Sequence, residues 1–149
     1  MGCDIHMHVE IRQDNGSWAE KVARTGWSNN SFGYTGYIRN TPDWLFETRN
    51  YSVFGVLAGV KGTLGHTISK PRGLPVDCSR GVYERRGNHG NYLYHDTSWL
   101  TVDELVAFTW RPSGRCLRFL DSFFEVAVPA LQNLAINPKN VRIVFWFRG

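Results

Sequence analysis

Cysteine is scarce in this chain. Its three cysteines, Cys3, Cys78 and Cys116, are odd in number, far apart and without a C-x-x-C pair, which argues against a disulfide framework and against a structural zinc knot. Apolar runs are short. None approaches the ~20 residues that a membrane span needs, and Asp4 and His6 place polar groups where a secretory leader would be apolar. The expectation is a soluble protein of a reducing cytoplasm with no membrane partner. Internal repeats, low-complexity tracts and blocks of consecutive basic residues are also missing. The last of these absences makes nucleic acid a poor choice of partner.

What the chain does have is a mild basic excess and many aromatic rings. Seventeen Lys and Arg against thirteen Asp and Glu give a formal charge of +4, and aromatics make up 14% of the 149 residues. The charge favours an anionic partner, and more a small phosphate-bearing ligand than a polymer. The aromatics supply a dense core and stacking surfaces. The length is that of a single domain, 1–149, able to bury its own core.

The most informative stretch is the first. Cys3, Ile5, Met7, Val9 and Ile11 alternate with Asp4, His6, His8, Glu10 and Arg12, and a period of two predicts a strand with one apolar and one polar face. Residues two apart on a strand lie on one face about 6.6 Å from each other. Asp4, His6, His8 and Glu10 therefore form a row. Cys3 falls on the apolar face and reads as a buried small hydrophobe that is not expected to react.

Asp14-Asn15-Gly16-Ser17 signals a turn, with 18–23 as the returning strand of a hairpin. Residues 25–40 read as an aromatic-studded loop. Tyr51, Phe54, Leu57 and Ala58 follow helical spacing, with Asn50 as N-cap, Gly59 as stop and Arg49 just outside the helix. From 60 to 95, glycines interleave with Lys61, Lys70, Arg72, Arg80, Arg85 and Arg86, which predicts a long basic flap over the site. Within it, Asp77 or Ser79 can cap whatever follows. His95, Ser98 and Trp99 are placed in a loop entering a helix that Thr101 and Glu104 open with a capping box. Residues 116–134 predict the longest apolar helix, kinked or divided at Pro129, and 141–147 a central strand beside the first. The fold class is α+β: a mostly antiparallel sheet containing the N- and C-terminal strands, about three helices packed on one face, and the long basic loop.

The opening Met1-Gly2-Cys3-Asp4-Ile5-His6, Arg49-Asn50-Tyr51, the run Val53 to Val60, Gly73-Leu74-Pro75-Val76-Asp77, His95 with Ser98-Trp99-Leu100-Thr101, and the run Val141 to Phe147 together resemble a family of small bacteriophage proteins. The resemblance runs from the first residue nearly to the last. It implies a phage origin and action in the cytoplasm of an infected bacterium. This chain departs from the pattern at Asp96, where a small hydroxyl residue is expected, and in its Arg148-Gly149 ending.

Three functions stay open on these residues. One is a pocket that sequesters a phosphate-bearing nucleotide, such as a signalling nucleotide of host immunity. Its contacts would come from Asp4, His6, His8, Arg49, Tyr51, Lys61, Arg72, Asp77, His95, Ser98 and Trp99, because arginine forks fit phosphates and aromatic faces stack on bases. The second is a hydrolase of such nucleotides, with His6 and His95 as the catalytic acid and base, or with a divalent metal such as zinc or manganese held by Asp4, His6 and His8. The bland reading of that row, polar groups bonded across a half-solvated sheet, competes with the metal. The third is an inhibitor of a host enzyme that docks through 25–40. A pocket shared across a homo-oligomer suits a chain this short.

Overall fold

A computed structural model describes residues 3–21, 51–60, 67–87, 93–108 and 128–149. Four strands, β1 (Asp4–Arg12), β2 (Trp18–Lys21), β3 (Tyr94–Thr101) and β4 (Val141–Arg148), form one antiparallel sheet in the order β2-β1-β4-β3. Among the described residues the helices are α1 (Tyr51–Ala58), α2 (Arg80–Arg86), α3 (Val102–Ala107) and α4 (Val128–Gln132), and a 3₁₀ turn at Pro138–Asn140 leads into β4. This is the expected α+β architecture, with the N-terminal strand beside a central C-terminal one. Among the described residues no helix is long and apolar enough to cross a membrane.

The hairpin forms where its turn chemistry requires. Gly16 has φ +85°, a conformation nearly closed to residues with a Cβ, and Asn15 Oδ1 accepts the Ser17 N–H at 3.0 Å. Helix α1 stops at Gly59, whose φ of +73° is that of a helix C-terminal glycine.

The alternation along β1 sorts the sheet into two faces. Cys3, Ile5, Met7 and Val9 join Val141, Ile143, Phe145, Phe147 and Leu100 in one cluster, closed by Phe54 and Leu57 of α1, Leu105 of α3 and Leu131 of α4. Phe54 meets Phe147 edge-on at 5.0 Å. The other face carries Val144 and Trp146 of β4 with Tyr94 and Trp99 of β3, and here Val82 of α2, Leu74 and Cys78 pack on the sheet. Helices therefore lie on both faces, not on one. The covering helix comes from the segment expected to be a flap, where Arg80–Arg86 form α2 with Ser79 as N-cap accepting the Val82 N–H. The loop expected at 25–40 and most of the helix expected over 116–134 lie outside the described residues.

Residues 67–74 carry the chain from one face to the other around the open side of β3. Ile68 packs with the first cluster and Leu74 with the second. On the way, Gly73 N–H donates to Thr97 O at 2.8 Å and Arg72 Nη1 to Trp99 O at 3.1 Å. Edge strands expose unpaired backbone groups that invite association, and this crossing takes up two of them, the Thr97 and Trp99 carbonyls.

His95, Ser98 and Trp99 lie within β3, not in a loop before a helix; the strand runs directly into α3, whose N-cap is Thr101. The capping box forms as expected, with Glu104 Oε1 accepting from Thr101 N at 3.1 Å. Glu104 also pairs with Arg72. The Arg72 guanidinium, then the Thr101 donors, outweigh partial burial and hold the Glu104 carboxyl down to about 2, from 4.5. A lowered carboxylate stabilises the fold above its unfolded value and loses that contribution as pH falls through the folded one. Glu104→Gln is expected to cost about 1 kcal/mol at neutral pH and to flatten the decline in stability between pH 4.5 and about 2. Urea melts across that range check it; an unchanged acid profile would remove Glu104 from the account.

Candidate functional site

The polar row of β1 meets β4 residue by residue. His6 stands opposite Trp146, His8 opposite Val144, Glu10 opposite Arg142 and Asp4 opposite Arg148, and directly opposed residues share a face. The row was expected to be half-solvated or to grip a metal. It is instead largely buried: His8 is 1% exposed, Glu10 0% and Arg142 2%, because α2 and the turn before it lie on top.

At one end of this face the burial is organised by Arg142. Its Nε donates to Glu10 Oε1 at 2.8 Å and its Nη1 to Asp77 Oδ1 at 3.0 Å. Its guanidinium lies 3.9 Å over the Trp18 ring and 5.7 Å from that of Trp99. Glu10 Oε2 accepts the Ser79 N–H at 2.6 Å, and Trp18 Nε1 donates to Asp77 Oδ2 at 3.2 Å. Burial pushes the Asp77 carboxyl up, but Arg142 outweighs it and leaves the group below its usual range. Burial and the Glu10 carboxylate push the Cys78 thiol up. Asp77, read as a ligand contact, is thus a partner that fastens the cover to the sheet.

The middle of the row is closed. His8 stacks on Trp146 at 4.7 Å, and its Nδ1 lies 3.4 Å from Glu20 Oε1. Burial raises the Glu20 carboxyl, while His8 and an ion pair with Arg85 of α2 more than compensate and leave it lowered. Gly81 has no room for a Cβ, since the Glu20 carboxylate sits against it. Among the described residues no group of three or more His, Cys, Asp or Glu is disposed to hold a metal. Of the expected set of Asp4, His6 and His8, each histidine packs against Trp146, and the Asp4 side chain lies outside the described residues.

The opposite end of the face is open. His6 and Tyr94 are both partly exposed, with ring centroids 5.5 Å apart, and both border Trp146 at 6.1 Å. The Arg86 guanidinium lies 5.5 Å from the Tyr94 ring, and its Nε donates to Thr97 Oγ1 at 2.6 Å. Arg148, opposite both Tyr94 and Asp4, is exposed. The result is a rim of two part-exposed rings and two guanidinium groups, floored by the buried Trp146, where β1 and β3 begin and β4 ends.

His95 belongs to the same end but to the other side of the sheet. It lies opposite Phe147 in register and stacks on it at 6.0 Å. Its Nδ1 is 2.7 Å from Asp96 Oδ2 and its Nε2 is 3.9 Å from Cys3 Sγ. Ser98, expected as a ligand contact, is fully buried beyond a β-bulge and accepts the Arg72 N–H at 3.0 Å. Arg72, expected on phosphate, is held by Glu104 and lies 4.8 Å over Trp99. Tyr51 opens α1, but its side chain lies outside the described residues, as do Arg49 and Lys61.

Of the expected site, the structure gathers Asp4, His6 and His95 at one end of the sheet and disperses Asp77, Arg72, Ser98 and Trp99 along its other margins. Tyr94, Arg86 and Asp96 were not read as site residues. Arg86 had only a charge to mark it, and Tyr94 follows the 88–92 stretch, where no periodicity starts. The chain matches no known family model, no curated protein and no solved structure.

The Glu10–Arg142 pair makes a sharp test of this layout. Removing one member of a buried pair strands the other charge, at about 3–5 kcal/mol. Glu10→Ala is expected to lose that much, whereas Asp77→Asn, at a carboxylate 60% exposed, should lose about 1 kcal/mol or less. The double variant Glu10→Met/Arg142→Met should regain most of the loss. Denaturant unfolding checks all three, and similar losses at Glu10 and Asp77 would contradict the assignment.

Proposed function

We propose that this is a bacteriophage protein that binds and sequesters a phosphate-bearing nucleotide in the infected bacterium, a signalling nucleotide of host immunity being the class of ligand that sequestration would serve. The observation that carries the reading is the open rim, where the part-exposed rings of Tyr94 and His6, backed by the buried Trp146, stand beside Arg86 and Arg148. Aromatic faces accept a base whatever its sequence, and each stacked base contributes about 1–3 kcal/mol. A guanidinium fork matches phosphate oxygens in a way that an ammonium does not. Arg86 uses Nε on Thr97 and keeps further N–H donors in its fork for an anion. The formal charge of +4 favours capture of an anion over a neutral ligand.

The contact set differs from the one read in the sequence. His6 stays, Arg86, Tyr94 and Arg148 join, and Arg72 and Asp77 leave because Glu104 and Arg142 occupy them. A hydrolase of the same nucleotides is the rival, and the His95–Asp96 contact is what favours it.

The test is to incubate the protein with linear and cyclic nucleotides, with and without a chelator, then denature it and chromatograph what is released. Intact nucleotide recovered equally in both conditions is expected. Arg86→Ala and Tyr94→Ala should each weaken retention about tenfold or more. Conversion of the nucleotide would make the protein an enzyme, and if nothing is retained or changed the proposal falls.

A further inference from the structure

Around the corner of the sheet from that rim lies a group of side chains that nucleotide binding does not use. Cys3 enters β1, while His95 and Asp96 stand at the start of β3, and β4 runs between them. The Asp96 carboxylate meets His95 Nδ1 at 2.7 Å, and His95 Nε2 faces Cys3 Sγ at 3.9 Å, within hydrogen-bond range for sulfur. We infer that Cys3, His95 and Asp96 form a nucleophile, base and orienting carboxylate that act on an acyl substrate.

The order of the three groups is the one that such chemistry needs: a nucleophile within reach of a base, and that base held by a third group. A carboxylate at Nδ1 accepts the proton there, which fixes the tautomer and leaves Nε2 bare towards the thiol. Asp96 is placed there by unusual backbone. Its φ is +50°, the one positive value outside glycine among the described residues, and it lies within the β-bulge between His95 and Ser98. Bulges re-aim side chains beside active sites, and a strained residue persists where the surrounding fold over-determines it. A regular strand would send Asp96 to the opposite face from His95; the bulge and the positive φ let the two meet.

The chemistry balances without a cofactor. The thiol proton passes from Sγ to Nε2, giving thiolate and imidazolium, with the Asp96 carboxylate holding the positive ring. The thiolate attacks the carbonyl carbon of an ester or amide, forming the S–C bond, and the leaving oxygen or nitrogen departs with the proton from Nε2. Water then attacks the thioester while giving its proton to Nε2, and the carboxylic acid and the thiol are released. Cys3 is fully covered in the resting structure and His95 is about a third exposed, so the substrate comes in from the histidine side and opening of that cover precedes attack. Cys78 belongs to a different environment. It packs under α2 beside Glu10, which pushes its thiol up.

The experiment uses the full chain carrying Cys78→Ser and Cys116→Ser, so that Cys3 is the one thiol. Alkylation by iodoacetamide is followed by mass spectrometry near pH 6 and near pH 9, beside His95→Gln and Asp96→Asn, asparagine being a residue that tolerates positive φ. Near pH 6 the parent is expected to react about tenfold faster than His95→Gln, with Asp96→Asn between them, and the ratios should shrink near pH 9, where a thiol ionises without help. With p-nitrophenyl acetate as acyl probe, a burst of p-nitrophenolate and a transient acetyl adduct on Cys3 are expected, both absent in Cys3→Ser. Equal alkylation of parent and His95→Gln, when their melting curves coincide, would overturn the inference. So would a Cys3 that reacts only after denaturation, or an acetyl group found on another residue.

Discussion

The sheet's second face depends on one buried ion pair. Glu10 and Arg142 sit opposite each other on neighbouring strands, 0% and 2% exposed, and desolvating two charges is repaid only when geometry is good and the remaining donors and acceptors find partners. Here the partners come from elsewhere in the chain. Ser79 gives its N–H to Glu10, Asp77 takes Nη1 of Arg142, and Trp18 covers the guanidinium while bonding Asp77. The pair therefore recruits its own cover. The turn that carries Asp77 and Ser79 also caps α2, so satisfying two charges sets down the helix that closes the face over His8 and Trp146.

That dependence explains which parts of the fold were legible. Local signals survived: the alternation of β1, Gly16 in its turn, Gly59 at the end of α1, the Thr101–Glu104 box and the apolar β4 all stand where their sequences put them. Each rests on contacts within a few residues or on a period that burial enforces. What could not be read was the fate of residues 67–87. Glycines and arginines there look like a mobile basic loop, yet the partners that order it, Glu10, Glu20, Glu104 and Thr97, lie far away in sequence, and composition carries no record of such pairing.

The same reason governs the site. The polar row on β1 is legible as a row but not in its use, because a period of two says which side chains share a face and not what covers that face. His8 and Glu10 are buried in the structure, while His6 stays part-exposed. Tyr94 and Arg86 could not be singled out from one sequence, since an isolated tyrosine and one arginine among many have meaning only beside each other. Asp96 is marked by its unusual backbone, which a single sequence does not display.

The two ends of the sheet are built on opposite terms. Around Arg142 the carboxylates of Glu10 and Asp77 pair with the guanidinium and the Trp18 ring packs on it, with Nη2 the one donor of the fork left without a hydrogen-bond partner among the described residues. Around His6 and His95 rings stand part-exposed, arginines keep spare donors, and a non-glycine residue holds a left-handed conformation that costs on the order of 1–3 kcal/mol. A fold tolerates such expense when the rest of it is locally consistent, and departures from consistency concentrate where a protein acts. Side chains that must be held to within a fraction of an ångström work best on rigid strands. β4 supplies that rigidity, since it is paired on both sides over nearly its whole length and fixes Trp146 and Phe147, on which the two histidines stack. The closed end holds the sheet in register, and that register is what allows the open end to present His6 on one side and His95 on the other.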